Sequence, residues 1–161
     1  RHALVTQFTM AENIVLDCYY TRPYSRAGVM DWGKTREEAR RLVEQFDVRT
    51  PSVEVKAGNL SGGNQQKVIV AREFGRPSVA LAIASQPTRG LDVGSIEYIH
   101  GQIVAQRDRG AAILIVSTEL DEVMALSDRL LVMYRGKVVA ELDPKQVTPA
   151  DVGLHMAGAK L

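Results

Sequence analysis

The chain has 161 residues, which is one domain's worth of sequence and enough to bury a hydrophobic core. Its 20 basic and 19 acidic residues give a net charge of +1. This balance argues against a nucleic-acid-binding protein, because such proteins carry a clustered excess of basic residues. No apolar run approaches the roughly 18 residues of a membrane span. The single cysteine, Cys18, cannot form an internal disulfide, which favours a reducing compartment.

The N-terminal third is predicted to form helices and loops. Thr9 and Glu12 have the spacing of a capping box, which predicts a helix over about residues 10–19. An exposed loop follows, and a second helix begins at Asp31 or Thr35. The buried face of this second helix has the spacing i, i+3, i+4, i+7 and comprises Ala39, Leu42, Val43 and Phe46.

Helices and apolar strands alternate in the rest of the chain. One helix is predicted over residues 61–74, and another begins at a cap at Ser95 and runs to Arg109. The short apolar runs 79–84 and 111–116 are typical of strands that are covered on both faces. This order of elements is typical of a parallel sheet flanked by helices.

The C-terminal part is predicted to contain a hairpin. A short helix over residues 119–126 precedes two strands, 130–134 and 137–142, which a two-residue turn joins as an antiparallel pair. Thr148 then caps a last helix that has Pro149 at its first position.

The stretch Ser61-Gly62-Gly63 has the composition of an anion site. The serine caps a helix N-terminus, and the glycines let backbone N–H groups approach a ligand closely. A helix N-terminus favours anionic oxygen such as that of a phosphate group. On these three residues alone, an ordinary capped helix after a turn remains the simpler interpretation.

A longer pattern favours the phosphate site. Residues 60–67, Leu-Ser-Gly-Gly-Asn-Gln-Gln-Lys, resemble the signature of ATP-binding cassette (ABC) ATPases. Residues 87–92, Pro-Thr-Arg-Gly-Leu-Asp, match the stretch that follows the Walker B strand in these proteins. The Asn-Gln-Gln-Lys ending resembles the second, C-terminal cassette of importers for nucleosides and simple sugars.

The resemblance runs over nearly the whole chain and implies an α/β fold. Residues 1–60 would form a helical subdomain. Residues 61–161 would form a partial P-loop NTPase core with a mainly parallel sheet, a C-terminal hairpin and a helix.

ABC ATPases hydrolyse ATP between two cassettes, and each site combines the Walker A loop of one cassette with the signature of the other. Residues 28–35, Gly-Val-Met-Asp-Trp-Gly-Lys-Thr, match the letters of the Walker A pattern GxxxxGK[ST], but an exposed loop and not a buried strand is predicted before them. Residues 1–5 resemble the segment that follows the Q-loop in these importers. The Walker A loop and the Q-loop are therefore expected upstream of Arg1.

Three positions depart from the family pattern. Ser85 and Gln86 stand where Walker B has the aspartate for magnesium and the glutamate base, and Thr118 stands where a histidine contacts the γ-phosphate. Loss of a general base alone typically costs about 10²–10⁴ in rate. The second cassettes of the importer family carry similar departures. The resemblance therefore implies a degenerate site with no intact catalytic residue and no metal ligand, in a chain that is inactive alone.

The intact signature implies a role in a different site. Ser61, Gly62, Gly63 and Asn64 would meet ATP bound by a partner cassette, with Asp92 at the dimer seam as the D-loop residue. The implied cofactors of the intact transporter are ATP and Mg²⁺.

The implied whole is an importer for nucleosides or simple sugars. Its parts would be a second ABC cassette, in the same polypeptide or a homologous one, and transmembrane permease subunits, with a substrate-binding protein acting indirectly. The chain would lie at the cytoplasmic face of the cell membrane as a peripheral protein.

Two other classes of function stay open. One is a non-catalytic dimerisation or regulatory module that keeps the ABC surface without using ATP. Nucleotide-dependent association with a partner cassette distinguishes this class from the importer. The other is a DNA-repair or chromosome-maintenance ATPase, which shares the Ser-Gly-Gly signature. Those enzymes place long coiled coils before the signature, and the sequence has none there.

Several further side chains are predicted to be structural. The histidines share no metal-ligand spacing; they are His2, His100 and His155. Two methionines are assigned to the core, Met124 and Met133. An exposed helix start explains the acidic residues Glu119, Asp121 and Glu122. Four residues of the N-terminal subdomain either contact a coupling helix of a membrane subunit, as this subdomain does in the family, or belong to an ordinary surface loop. They are Arg22, Tyr24, Arg26 and Trp32.

Overall fold

The computed structural model describes residues 3–76 and 78–158. Its helices are α1 (Met10–Ile14), α2 (Trp32–Gln45), α3 (Gly62–Phe74), α4 (Val93–Asp108), α5 (Leu120–Leu126) and α6 (Pro149–Met156), with a 3₁₀ turn at Ala57–Asn59. Its strands are β1 (Ser25–Arg26), β2 (Val29–Met30), β3 (Leu81–Ser85), β4 (Ala112–Val116), β5 (Leu130–Tyr134) and β6 (Lys137–Leu142). The strands pair in three two-stranded sheets, of which β3–β4 is parallel and the other two are antiparallel.

The first helix is capped as predicted but is shorter than predicted. Thr9 caps α1, and its side chain forms the complete capping box with Glu12. The helix ends at Ile14 rather than near residue 19. The following backbone amides bond to carbonyls three residues back, as Cys18 N does to Val15 O at 2.9 Å, so the chain continues in tighter turns.

The loop expected before α2 contains a short hairpin, which the sequence pattern did not predict. Strands β1 and β2 pair antiparallel, and Ala27 and Gly28 form the turn between them. Their φ angles are 51° and 80°, the left-handed conformation that two-residue hairpin turns favour. Alanine rarely adopts this conformation, so its presence in the turn gave no hairpin signal.

The first four helices and the parallel strands share one hydrophobic core. Helix α2 begins after its cap Asp31 and buries Ala39 and Leu42, and Phe46 follows it, whereas Val43 is only half-buried. One buried cluster joins residues of α1, α2, α3, β3 and α4, among them Met10, Phe46, Val68, Ala82 and Ile99. The division into units 1–60 and 61–161 stays a prediction, and its first two and last three residues lie outside the described part.

Only one face of the parallel pair is covered, which corrects the prediction of strands buried on both faces. Ala82 is buried in β3, whereas Leu81 and Ile83 are 56% and 65% exposed. In β4, Leu114 and Val116 are 48% and 51% exposed. Because Ile83 pairs with Leu114, the four exposed side chains share one face, which we call the apolar sheet face.

The C-terminal hairpin and helix agree with those predicted from the sequence. The hairpin β5–β6 turns at Arg135 and Gly136, and α6 has the predicted cap at Thr148 with Pro149 in its first turn. Across residues 3–76 and 78–158, no helix is both long enough and apolar enough to cross a membrane.

The apolar sheet face predicts self-association of a protein made of these 161 residues, because contiguous exposed apolar surface recruits partners. We expect sedimentation velocity to show species larger than a monomer in wild type, and the Ile83→Lys variant to return the protein towards the monomer.

Val29→Lys is the matched control, since Val29 is 72% exposed on the β1–β2 hairpin, which is a separate sheet. A wild-type protein that stays monomeric at all concentrations, or an equal effect of Val29→Lys, would contradict this prediction.

Candidate functional site

The Ser-Gly-Gly stretch forms the exposed N-terminus of α3. Ser61 is the cap, and its Oγ accepts from the backbone N of Asn64 at 3.4 Å and from the Asn64 Nδ2 at 3.0 Å. Ser61 and Gly62 are exposed, and Gly63 and Asn64 are half-buried. The first-turn amides of this 13-residue helix therefore face an open surface, where the helix dipole favours an anion.

Two polar residues of the same stretch hold the chain that precedes it. The Asn64 Oδ1 accepts from the backbone N of Arg49 at 2.7 Å. Lys67 Nζ donates to the Asp47 carbonyl oxygen at 2.8 Å and to the Asp47 carboxylate at 2.7 Å. The amide oxygen of Asn64 is thus engaged within the chain. The local sequence pattern gave no signal for these contacts across 15 and 20 residues.

Tyr98 of α4 completes the attachment of α2. Its hydroxyl donates to the Phe46 carbonyl oxygen at 2.7 Å, and Lys67 Nζ lies 4.3 Å from its ring centroid. Burial, together with the negative charge of Asp47, raises the pKa of Tyr98 to about 12. The end of α2 is therefore bonded to α3 and α4 at once.

Asp92, not Ser95, caps α4, which corrects the predicted helix start. The Asp92 Oδ1 accepts from Ser95 N at 3.0 Å, and its Oδ2 accepts from Ser95 Oγ at 2.8 Å. The hydrogen bond from the Ser95 side chain, followed by that from its backbone, lowers the pKa of Asp92. This places the predicted D-loop carboxylate beside the signature, since the Cα of Gly63 faces Ser95 and Asp92.

The three residues predicted to depart from the family pattern, Ser85, Gln86 and Thr118, lie at or just after the carboxyl ends of the two parallel strands. Ser85 ends β3 and pairs with Val116 at the end of β4. Gln86 follows with φ of 51°, and its Oε1 accepts from Thr118 Oγ1 at 3.3 Å. The structure therefore brings Gln86 and Thr118 together, and none of the three side chains carries a charge.

A buried carboxylate lies behind this edge of the sheet. Glu122 is 4% exposed, whereas Glu119 and Asp121 are exposed, so the predicted exposed helix start is wrong for Glu122. Thr88 Oγ1 donates to the Glu122 Oε1 at 2.7 Å, and His100 Nε2 lies 3.0 Å from the same oxygen.

The second carboxylate oxygen is unpartnered. The Oε2 of Glu122 has no hydrogen-bond partner among the described residues. Burial raises the pKa of Glu122, but the nearby hydroxyls of Ser117 and Thr88 and the ring of His100 lower it more, so the net pKa lies below its ordinary value.

The other predicted structural residues have mixed outcomes. His100 bonds to Glu122, and His2 lies outside the described residues. Met124 packs, as predicted, against a second, C-terminal core cluster. Met133 is 65% exposed, so its assignment to the core is wrong. The buried members of this second cluster are Val123, Leu130, Val132 and Val152. In the described segments, no group of three or more His, Cys, Asp or Glu side chains has the arrangement of a metal site.

A separate surface cavity lies beside the β1–β2 hairpin. Its volume is about 520 Å³, and Arg22, Arg26 and Trp32 are among the residues that line it. Tyr24, the fourth residue predicted for this surface, packs instead against the main core. The structure thus brings three of the four together.

Comparisons with known proteins give consistent matches. The chain is 48% identical over 159 residues, 99% of its length, to the guanosine import ATP-binding protein NupO of Bacillus subtilis strain 168. It is 47% identical over 161 residues, 100% of its length, to the nucleoside import ATP-binding protein NupA of Lactococcus lactis subsp. cremoris strain MG1363. The chain spans only 31% and 32% of these relatives' own lengths. No family model matches it.

A solved structure has the same fold. It is a dimeric ATP-binding cassette in a post-hydrolysis state bound to ADP and Pi, and it matches with a TM-score of 0.69 at 23% sequence identity. The match covers 88% of this chain and 59% of that one. The predicted α/β fold class is thereby confirmed.

The Glu122 contacts predict acid-sensitive stability. Because the pKa of Glu122 is lowered by folding, its contribution is present above its ordinary value of 4.5 and is lost as the pH falls through the folded-state pKa. At pH 7 we expect Glu122→Gln to lower the free energy of unfolding by about 1–3 kcal/mol, the cost of breaking a buried charged hydrogen-bond group. The difference from wild type should shrink below pH 4.5.

Glu119→Gln is the control, because the Glu119 side chain is exposed and makes no capping hydrogen bond. Urea unfolding at several pH values measures both variants. A pH-independent difference for Glu122→Gln, or an equal loss for Glu119→Gln, would refute the assignment.

Proposed function

The chain is a member of the ABC ATPase family and a homologue of part of the nucleoside and sugar import ATP-binding proteins, and we propose that it completes the ATP site of a partner cassette with its signature. The whole protein would couple ATP binding and hydrolysis to uptake of nucleosides, or of simple sugars. The single observation that carries the proposal is the exposed N-terminus of α3 at Ser61 and Gly62.

The geometry of α3 supports signature donation. The helix is long enough for a substantial dipole, and its cap leaves first-turn amides directed at an open surface. Gly62 has ordinary contact distance to its nearest neighbour, since an added Cβ would lie 4.0 Å from Leu91 Cδ2. A phosphate carried by another cassette could therefore approach the backbone here without displacing a side chain.

The edge of β3–β4 supports a degenerate site in this cassette. Ser85, Gln86 and Thr118 provide hydroxyl and amide groups, none of which is a general base at neutral pH or a charged ligand for Mg²⁺. Glu122 is a carboxylate in this region, but its Oε1 is engaged by Thr88 and His100. ATP and Mg²⁺ would act in the whole protein at the site that the signature completes.

The relatives' names support the proposed surroundings of the chain. The relatives are named for import of guanosine and of nucleosides. Import needs a path across the membrane, so transmembrane permease subunits, a second cassette and, indirectly, a substrate-binding protein are the proposed partners. The chain would then lie at the cytoplasmic face of the membrane. The cavity lined by Arg22, Arg26 and Trp32 is the proposed contact with a permease.

Charge placed at Gly62 tests the signature role. Gly62→Asp should keep the chain folded, because a carboxylate at a helix N-terminus is favourable and an added Cβ makes only an ordinary contact with Leu91. It should lower ATP turnover of the whole protein by about 10²-fold or more, because the new carboxylate repels the phosphate and masks the backbone N–H donors of α3. Gly62→Ala is the matched control for added volume and should cost much less.

Gln86→Ala should also cost far less than Gly62→Asp, since no proton transfer depends on that amide. Gln86→Glu should not raise turnover, because Ser85 still gives Mg²⁺ no carboxylate. Steady-state ATPase assays compare the four variants. Loss of turnover in Gln86→Ala, with none in Gly62→Asp, would mean that the two sites are assigned the wrong way round.

The 161-residue chain alone should not bind Mg-ATP with micromolar affinity. Its one match to GxxxxGK[ST], residues 28–35, runs through strand β2 into the first turn of α2 and forms no loop between a strand and a helix. The amides of one helix N-terminus give only part of a phosphate site. Isothermal titration calorimetry should show no saturable heat at micromolar nucleotide. A micromolar dissociation constant would show that these residues form a nucleotide site of their own.

A further inference from the structure

Gly63 lies in contact with the first turn of the neighbouring helix α4. A Cβ built on Gly63 would overlap the Ser95 hydroxyl and would lie 3.3 Å from Ser95 Cβ and 3.5 Å from Asp92 Oδ2. A Cβ at the adjacent glycine, Gly62, would meet only Leu91 Cδ2 at an ordinary contact distance of 4.0 Å. The two glycines of the signature therefore differ in their surroundings: side chains of the same chain leave no room for a Cβ at Gly63, whereas they leave room for one at Gly62.

The Ser95 hydroxyl is held between Gly63 and Asp92. It donates to Asp92 Oδ2 at 2.8 Å, while the backbone N of Ser95 donates to Asp92 Oδ1 at 3.0 Å. A methyl group at residue 63 would force the hydroxyl to rotate, and rotation breaks its bond to the carboxylate. A steric clash at residue 63 would therefore remove a hydrogen bond to Asp92.

We propose that Ser95 is a positioning residue that couples the start of α3 to Asp92, and that residue 63 must be glycine because of this contact. The coupling deepens the proposed function, since it joins the signature and the D-loop of one cassette. Its test has two arms: the turnover arm rests on that function, whereas the structural arm needs no nucleotide.

The Asp92 carboxylate interacts favourably with the N-termini of both α3 and α4. The N-termini of α3 and α4 carry partial positive charge and lie side by side. Asp92 has its negative charge at the start of α4 and within contact distance of the space beside Gly63. A shift of Ser95 therefore changes the position of a negative charge next to the amides proposed to bind phosphate.

The structural arm is a double-mutant cycle with Gly63→Ala, Ser95→Ala and their combination in the 161-residue chain. The readout is the pKa of Asp92, followed by NMR of its side-chain carboxyl carbon. Each single variant should raise this pKa towards 3.8, its ordinary value, because the side-chain bond from Ser95 is the largest cause of the lowering. The combination should raise it no further.

Gly62→Ala is the control and should leave the Asp92 pKa unchanged. Gly63→Ala should also lower the midpoint of thermal unfolding by about 4 °C, as overpacking does in a domain of this size. Adding Ser95→Ala should recover much of this loss. An unchanged Asp92 pKa in Gly63→Ala, or no recovery of the midpoint in the double variant, would overturn the proposal.

The turnover arm applies the same cycle to ATP hydrolysis by the whole protein. Coupling through Ser95 predicts that the double variant loses no more activity than the worse single variant. Losses that multiply would show that Gly63 is required by the ligand and not by Ser95, and would overturn the proposal. If signature donation itself is wrong, Gly62→Asp leaves turnover intact while the NMR cycle still shows the coupling.

Discussion

The packing of α3 against three other helices is the interaction on which the rest of the structure depends. Helix α3 contacts α1, α2 and α4, and Val68 and Ala71 on its inner face are fully buried. Arg72 reinforces this packing from within, since its Nη1 donates to the Ala3 carbonyl oxygen at 2.9 Å. Lys67 attaches the same helix to Asp47 at the end of α2. With its body fixed on several sides, the exposed end of α3 has one defined direction.

The two candidate sites differ in what this scaffold supplies. At the start of α3 and α4 it supplies directed backbone amides, and Asp92 is the nearby charge. At the ends of β3 and β4 it supplies neutral side chains, with Gln86 bonded to Thr118. The first arrangement suits binding of a phosphate, and the second has no charged side chain among Ser85, Gln86 and Thr118. This contrast is the physical basis for proposing that the chain assists a partner's site.

Local patterns predicted the elements well and the tertiary contacts poorly. The box formed by Thr9 and Glu12 and the cap at Ser61 depend on residues three apart, so sequence alone identified them. The choice of Asp92 over Ser95 as a cap could not be made locally, because both are good capping residues within one turn. The buried state of Glu122 depends on Thr88 and His100, which lie 34 and 22 residues away. The prediction that the parallel strands are covered on both faces was also wrong, because an apolar run does not specify which elements pack on it.

Hydrogen–deuterium exchange of the whole protein, with and without Mg-ATP, tests the central claim most directly. Signature donation predicts that the backbone amides of residues 62–64 become protected when nucleotide is added, because the phosphate of the partner's nucleotide accepts hydrogen bonds from them. Residues 85–86 should change much less. Unchanged exchange at residues 62–64, with strong protection at residues 85–86, would contradict the account.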